Sequence, residues 1–276
     1  LSSSSAASDV YKRQPLASWS VCGADTITVV AGEAPEPLPI DAAILAADAT
    51  REWVVTAQGR RLLPEANTPQ GRVIRRALGI TPDTPRWSPP TQVISALQEL
   101  PPAALPDPLP QIIDADDASW ALLDGRIQPI TATQRTILLD AGAKAAVAAR
   151  ESLAAYPDAE EELRLPGERP RWIEPHLACV DQGRGGATVA EVPEGIALSG
   201  TSVATHFAGL HGGSVGVDSG HGFHVVSANG LRHRAPDAET LATVGAAHVE
   251  DVPWEIVALL PEGAELTRDS ALQATY

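Results

Sequence analysis

The 276-residue sequence contains no methionine, and it has only two lysines and two cysteines. A chain of this length without Met is hard to reconcile with a reading frame that begins at its own start codon, so the expectation is a fragment of a longer protein. The opening LSSSSAASDVYKRQ (1–14) resembles translated sequencing-adapter read-through and is set aside from the fold reading, which starts at Pro15. Lys12 falls in that segment. Apart from Lys12 and Lys144 the basic residues of the whole chain are 18 arginines, which with abundant Ala, Gly and Pro points to a high-GC genome. No run of about 18 apolar residues occurs, so nothing in the sequence reads as a bilayer span. An anchor or signal, if the longer protein has one, is expected upstream.

Other absences narrow the chemistry. There is no G-x-x-x-x-G-K-[ST], no C-x-x-C and no H-E-x-x-H, so neither a phosphate-cradling loop nor a zinc site is marked by its spacing. The formal charge of -15 argues against nucleic acid or an anionic membrane surface as partner, because phosphates would be repelled. Solubility accounts for that charge. No cofactor is implied. What the composition does supply is 44% hydrophobic residues, enough for a packed core in one large or two ordinary domains.

The sequence is rich in self-similarity. Residues 53–79 (WVVTAQGRRLLPEANTPQGRVIRRALG), 120–142 (WALLDGRIQPITATQRTILLDAG) and 223–245 (FHVVSANGLRHRAPDAETLATVG) share one order of parts. An aromatic-led apolar run, a turn, a second run and a Pro or Thr break lead into a short amphipathic stretch that ends on Gly. The turns Gln58-Gly59, Asp124-Gly125 and Asn229-Gly230 predict a hairpin in each copy, the last two with the positive φ of type I′. Apolar residues at helical spacing (Val73, Ile74, Ala77, Leu78; Ile137, Leu138, Ala141; Leu241, Val244) predict a helix after each hairpin, closed by Gly79, Gly142 or Gly245. Pro69 and Pro236 are placed in the first turns of two of these helices. Such a unit cannot bury enough surface alone, so copies of it suggest a scaffold or binding surface rather than a single-pocket enzyme.

Copies one and three also share an exit, Pro85-Arg86-Trp87 then Ile94-Ser95-Ala96-Leu97 against Pro253-Trp254 then Ile256-Val257-Ala258-Leu259. Each is preceded by a Cys strand with a similar sequel: Val21-Cys22 then TVVAGEAPE, and Ala178-Cys179 then TVAEVPEG. The fold class expected is α+β and β-rich: a pseudo-two-fold central domain with peripheral hairpin-plus-helix repeats, elongated. Its parts are a central domain in two segments (15–47 and 161–219), repeats at 48–110, 111–160 and 220–262, and a C-terminal return to the central domain (263–276). The Pro-rich stretch 81–110 and the acidic stretch 157–170 read as connectors. Two cysteines at equivalent places in related halves meet near the pseudo-two-fold axis, so Cys22 is predicted to bond to Cys179. Closing so long a loop is worth roughly 4 to 5 kcal/mol in the chain-entropy model. It also implies an oxidising compartment, the competing reading being two buried thiols in a cytosolic protein.

Three constellations invite a catalytic or binding reading. Gly212-Gly213-Ser214-Val215-Gly216 fits G-x-S-x-G, with Asp218 and His221 behind it, but no helical pattern follows Ser214 as a nucleophile elbow requires, so a loop is expected. His206, His211, His221, His224, His233 and His248 crowd the last quarter of the chain. They are read as solvated positions, with His221 and His224 on opposite faces of an extended segment. Arg72, Arg75 and Arg76 are read as the solvated face of an amphipathic helix.

The strand WSVC with its sequel TVVAGE (19–33), RRALGI (75–80), VISALQELPP (93–102) and the tail PWEIVALLPEGAELTRDSAL (253–272) resemble the EccB component of the type VII (ESX) secretion systems of actinobacteria. The resemblance implies a short cytosolic start, one transmembrane helix and an envelope domain on the outer, periplasmic side of the cell membrane. That domain has a central part, whose disulfide Cys22 and Cys179 would form, and four peripheral repeats similar to a cell-wall-binding subunit of a phage lysin. The three copies correspond to the second to fourth repeats, and the helix and first repeat are missing. Implied partners are EccC, EccD, EccE and other EccB copies in a hexameric protein-secretion complex, with peptidoglycan as a further candidate and no nucleic acid. The function implied is a structural subunit. The alternatives are a nucleotide hydrolase, since some members carry an ATPase assignment that no nucleotide-binding motif here supports, or a cell-wall-binding module.

Overall fold

A computed structural model describes residues 17–210, 213–246 and 248–267. The adapter-like segment 1–14 and most of the C-terminal return lie outside the described residues. The chain begins with β1 (Ser18–Cys22), β2 (Thr28–Gly32) and β3 (Glu36–Pro37). The first copy gives β4 (Ala42–Ala47), β5 (Glu52–Thr56), β6 (Gly59–Leu62), α1 (Pro69–Ala77), α2 (Thr91–Ala96) and β7 (Glu99–Leu100). The second gives β8 (Gln111–Ala115), β9 (Ala118–Leu123), β10 (Arg126–Ile130), α3 (Ala132–Asp140) and β11 (Ala145–Val147). There follow α4 (Arg150–Leu153), β12 (Arg171–Trp172), β13 (Ala178–Val180), β14 (Gly186–Thr188), β15 (Ile196–Ala197) and β16 (His206–Ala208). The third copy gives β17 (Ser214–Asp218), β18 (Phe223–Ser227), β19 (Arg232–Ala235), α5 (Ala238–Thr243), β20 (Val249–Asp251) and α6 (Trp254–Val257). The fold is α+β and β-rich.

Contacts divide the chain into two compact units. Among the described residues, one lies within 17–35, 179–183 and 191–267; the other comprises Glu36–Ala178 and Arg184–Ala190. The first holds a central sheet in which β2, β1 and β13 run antiparallel and β16 joins β2 in parallel, together with the third copy. The second holds the first two copies.

The repeating unit is larger than a hairpin and a helix. In each copy three strands form an antiparallel meander: β4-β5-β6, β8-β9-β10 and β17-β18-β19. The helix then carries the chain back, and the segment after it pairs in parallel with the first strand of the meander. That return is β11 on β8, β20 on β17, and in the first copy a single bridge from Trp87 to Ala46. A parallel return needs a crossover, and the helix supplies it. Each unit therefore begins one strand earlier than its hairpin and ends one segment later than its helix.

Local chemistry explains why the helices start and stop where they do. Thr68, Thr131 and Asp237 each cap a helix by accepting from a backbone N–H three residues on, at 3.0, 3.1 and 2.8 Å. Gln134 completes a capping box by accepting from the Thr131 N–H. At the other end Gly79, Gly142 and Gly245 all adopt positive φ. The N–H of the following residue reaches back to Arg75, Leu138 or Leu241, the six-to-one bond of a Schellman motif. Pro69 occupies the first turn as expected, whereas Pro236 precedes the Asp237 cap and lies outside the helix.

The turns agree in part. Asp124 and Gly125 have φ of 52° and 75°, the pair of left-handed residues that type I′ demands. In the first copy Thr56 pairs with Gly59, so the turn is Ala57-Gln58 and not Gln58-Gly59. Gly59 is needed for another reason: a Cβ there would meet the Gln98 carbonyl oxygen at 2.2 Å. In the third copy Gly230 donates to Ser227 and Ser227 donates to Leu231, a three-residue loop in which Gly230 alone of the pair is left-handed.

The first two copies share one core. Leu45, Val54, Ile74 and Leu78 of the first are buried with Ile112, Ala121, Ile137 and Leu138 of the second, the helices α1 and α3 facing each other. The third copy has a small core of its own, Val225, Ala235, Leu241 and Ala246. Counted back from its Schellman glycine, the position held by Ile74 and Ile137 is Thr240, which caps locally instead of entering a second helix's surface. Ile137 is fully buried, so Ile137→Ala is expected to destabilise this unit by about 2–5 kcal/mol. The check is a lowered urea midpoint with an unchanged slope.

Candidate functional site

The most constrained cluster lies where β1 and β13 pair. Cys22 stands directly opposite Cys179, their Cα atoms 4.1 Å apart, and a disulfide joins them across 157 residues of sequence. That spacing suits a non-hydrogen-bonded antiparallel pair, and the loop closed is worth about 5 kcal/mol in the chain-entropy model. Two residues before the pair, Ser20 is buried, and Trp19 is fully buried beside Phe207 with ring centroids 6.2 Å apart.

Trp19 also reaches the third copy. Its indole Nε1 donates to Glu250 Oε2 at 2.6 Å, and the N–H of Ala17 donates to Glu250 Oε1 at 3.2 Å. Glu250 is only 6% exposed on β20, so its carboxyl oxygens depend on these donors, and the His248 ring lies 3.7 Å away. Gln182 adds a second tie: it accepts from the Trp19 N–H at 3.1 Å and donates to the Asp251 carbonyl at 2.5 Å. Glu250 and Gln182 were not legible as site residues. The only hint was an acid between Val249 and Val252 at an inward strand position.

In the other unit, two carboxylates on strands clamp helix arginines. Asp114 on β8 accepts both prongs of Arg135 from α3 at 2.9 and 2.7 Å, and Ser119 Oγ at 2.6 Å. The Arg135 hydrogen bonds, followed by that of Ser119, hold the Asp114 carboxyl down at about 2. Glu52 on β5 accepts from Arg75 Nη1 of α1 and from Arg86 Nε at 2.8 Å. Burial acts to raise its pKa, but Arg86 and Arg75 prevail and lower it. Arg75 is thus not on a solvated face: its side chain is 12% exposed, whereas Arg76 at 73% is solvated as expected. Beside this clamp Trp53 is buried under two guanidiniums, Arg51 at 4.9 Å and Arg60 at 5.7 Å from its ring centroid.

The other sequence candidates fall as follows. Ser214 opens strand β17, and the strand runs to Asp218, so this segment is a strand where a loop was expected; Gly212 and His211 lie outside the described residues. His206 contacts Thr205 Oγ1 at 3.0 Å, and His233 lies 2.9 Å from the Ala264 carbonyl. His224 departs from the expected solvation: it is 3% exposed. His221 and His224 do not diverge either. Gly220 and Gly222, both at positive φ, interrupt the extended run, and the two rings lie 6.4 and 5.4 Å from the same Trp254 ring. Among the described residues no three His, Cys, Asp or Glu side chains converge as a metal site would require, and no helix is long and apolar enough to cross a membrane.

Residues 176–275 match the family model "Type VII secretion system ESX-1, transport TM domain B", EccB. A stretch of 49 residues, 18% of the chain, is 39% identical to the ESX-1 secretion system ATPase EccB1 of Mycobacterium tuberculosis, in strains CDC 1551 / Oshkosh and ATCC 25618 / H37Rv. The match covers 10% of the length of these relatives. Among solved structures, the periplasmic assembly of the ESX-5 inner membrane complex is 19% identical with a TM-score of 0.69, over 96% of this chain and 80% of that one. The EccB3 dimer from the ESX-3 core complex is 20% identical with a TM-score of 0.72, over 94% and 82%. At these identities the likeness is one of fold.

Two outcomes are expected from this geometry. Protein folded under oxidising conditions takes up no alkylating agent at Cys22 or Cys179 before reduction and two equivalents after it; mass spectrometry reads the difference, and two free thiols would overturn the pairing. Because the Asp114 pKa is depressed, its contribution to stability is present above about pH 4 and is lost as pH falls towards about 2. Urea midpoints across that range are expected to fall less steeply in Asp114→Asn than in the wild type.

Proposed function

We propose that this chain is a member of the EccB family of type VII secretion components and a structural, periplasmic-side subunit of an ESX membrane complex. The observation that carries this reading is the fold, shared over nearly the whole chain with the periplasmic assembly from the ESX-5 inner membrane complex and with the EccB3 dimer from the ESX-3 core complex. The structure supplies what such a role asks for: strand-based repeats whose polar chemistry is spent on holding elements together, and a disulfide suited to an oxidising compartment.

On this proposal a central domain (15–47 and 161–219) carries repeats at 48–110, 111–160 and 220–262, each drawing its first strand from the segment before its hairpin. The partners would be EccC, EccD, EccE and further EccB copies in a hexameric assembly, with peptidoglycan as an additional contact. A second reading follows from the printed name of the curated relatives, which calls them ATPases; it would require an ATP site built from residues that carry no phosphate-loop spacing.

The test is reconstitution. The longer protein containing this chain is tagged and expressed in an actinobacterial strain that lacks its own EccB, and detergent-extracted membranes are run on a native gel. Migration with the large ESX complex together with restored substrate export is expected. A complex that assembles and exports without incorporating the tagged protein would overturn the assignment. ATP turnover by the purified domain that is abolished by a single Arg or Asp substitution would favour the second reading.

A further inference from the structure

Among the clustered histidines that the structure describes, His224 stands apart. It lies on the middle strand of the third copy's sheet, 3% exposed, and its Nδ1 is buried without a hydrogen-bond partner. Strand alternation places His224 on the opposite face from Val225, which packs with Leu241 of α5. On the His224 face lies α6, whose Trp254 ring is 5.4 Å from the imidazole and tilted by 30°. Arg232 of β19 covers the same indole at 5.0 Å and donates to the Leu260 carbonyl just beyond α6 at 3.1 Å. The seat of α6 on this sheet is therefore a stack of guanidinium, indole and imidazole.

The charges around His224 disfavour a second cation. Burial is the largest influence and lowers its pKa, and Arg232 and Arg234 from β19 act in the same direction. The Gly222 backbone and Glu262 oppose them, but Glu262 is already paired with Arg232 at 3.0 Å. From β17, Asp218 is engaged by the Gly220 N–H at 2.9 Å; the preceding turn offers His221, and α6 offers Glu255 beside Trp254. A proton on His224 would add a positive charge beneath an indole already covered by Arg232.

We propose that the His224–Trp254 contact is an acid-sensitive latch, which seats α6 on the third copy's sheet while His224 is neutral and loosens when it is protonated. The sign follows from the depressed pKa. The seat is fully held above the free imidazole value of about 6.5 and weakens as pH falls below it, by up to about tenfold in the opening equilibrium per pH unit. Since α6 also touches β1, loosening it frees one of the ties between the third copy and the central sheet.

The test is amide hydrogen exchange on the full chain between about pH 7.5 and 5.5, corrected for intrinsic chemistry, read at Ile256–Leu260. Wild-type protein is expected to lose protection below about pH 6.5, His224→Gln to show no pH dependence there, and His221→Gln to behave as wild type. PH-independent protection in the wild type, or an unchanged acid response in His224→Gln, would overturn the latch. Should His224→Gln fail to fold, the imidazole resonances of the wild type decide: the His224 ring is expected to titrate below a free imidazole. A ring that titrates like a free imidazole while α6 stays protected would sink the proposal.

Discussion

Strand β1 is the wall on which its unit is built. It is hydrogen-bonded on both sides, to β2 and to β13, and it is locked by the disulfide to a strand 157 residues away. Through Trp19 it also holds the buried carboxylate of Glu250 in the third copy. Backbone pairing, a covalent bond and a charge-assisted hydrogen bond converge on five residues, four of them buried. Removing the disulfide would return loop entropy to the unfolded chain, and removing the indole donor would strip a buried carboxylate of a partner, which costs more than the bond itself contributes.

The repeat solves a problem that a small unit cannot solve alone. A three-stranded meander with one helix leaves apolar surface that must be covered. The first two copies cover it together, α1 against α3, in a single core. The third copy shortens its helix, replaces the inward isoleucine by Thr240, and among the described residues buries four in its own helix-side core, with Phe223 and Leu266 packed against them. Its other face is covered by α6, with Trp254 and His224 in contact. One architecture thus takes two packing solutions, and single positions within the copies decide between them.

Ionic contacts follow the same logic. The Asp114–Arg135 and Glu52–Arg75 pairs both tie a helix to a strand of its own meander, but they use different helix positions and different strands. They are similar devices placed independently, which fits copies whose sequences have diverged while the backbone plan held. Both pairs are partly buried, so the desolvation of their charges offsets part of the attraction and what they fix is the seating of the helix more than net stability.

Much of this plan could be read in advance because it rests on local stereochemistry. Asp124-Gly125 permits left-handed φ, Gly79, Gly142 and Gly245 close helices for the same reason, and Thr68, Thr131 and Asp237 cap them; such preferences act within a few residues and are visible in one dimension. The equivalence of the two Cys strands was legible as repetition. The first strand and the parallel return of each unit were not: AAILAA is buried along its whole length and shows no alternation, AAV is only three residues long, and SVGVD, although it alternates, reads as a loop around its G-x-S-x-G. Nor was the burial of Arg75, Glu250 and His224, since a polar residue enters a core only when distant groups arrive to receive it, and which groups arrive is decided by packing. The sequence by itself determined the hairpins, the Asp124-Gly125 turn and the glycines that close the helices. Only the tertiary structure decided which strands meet, which charges are buried and which helix faces are shared, because those depend on contacts between residues far apart in the chain.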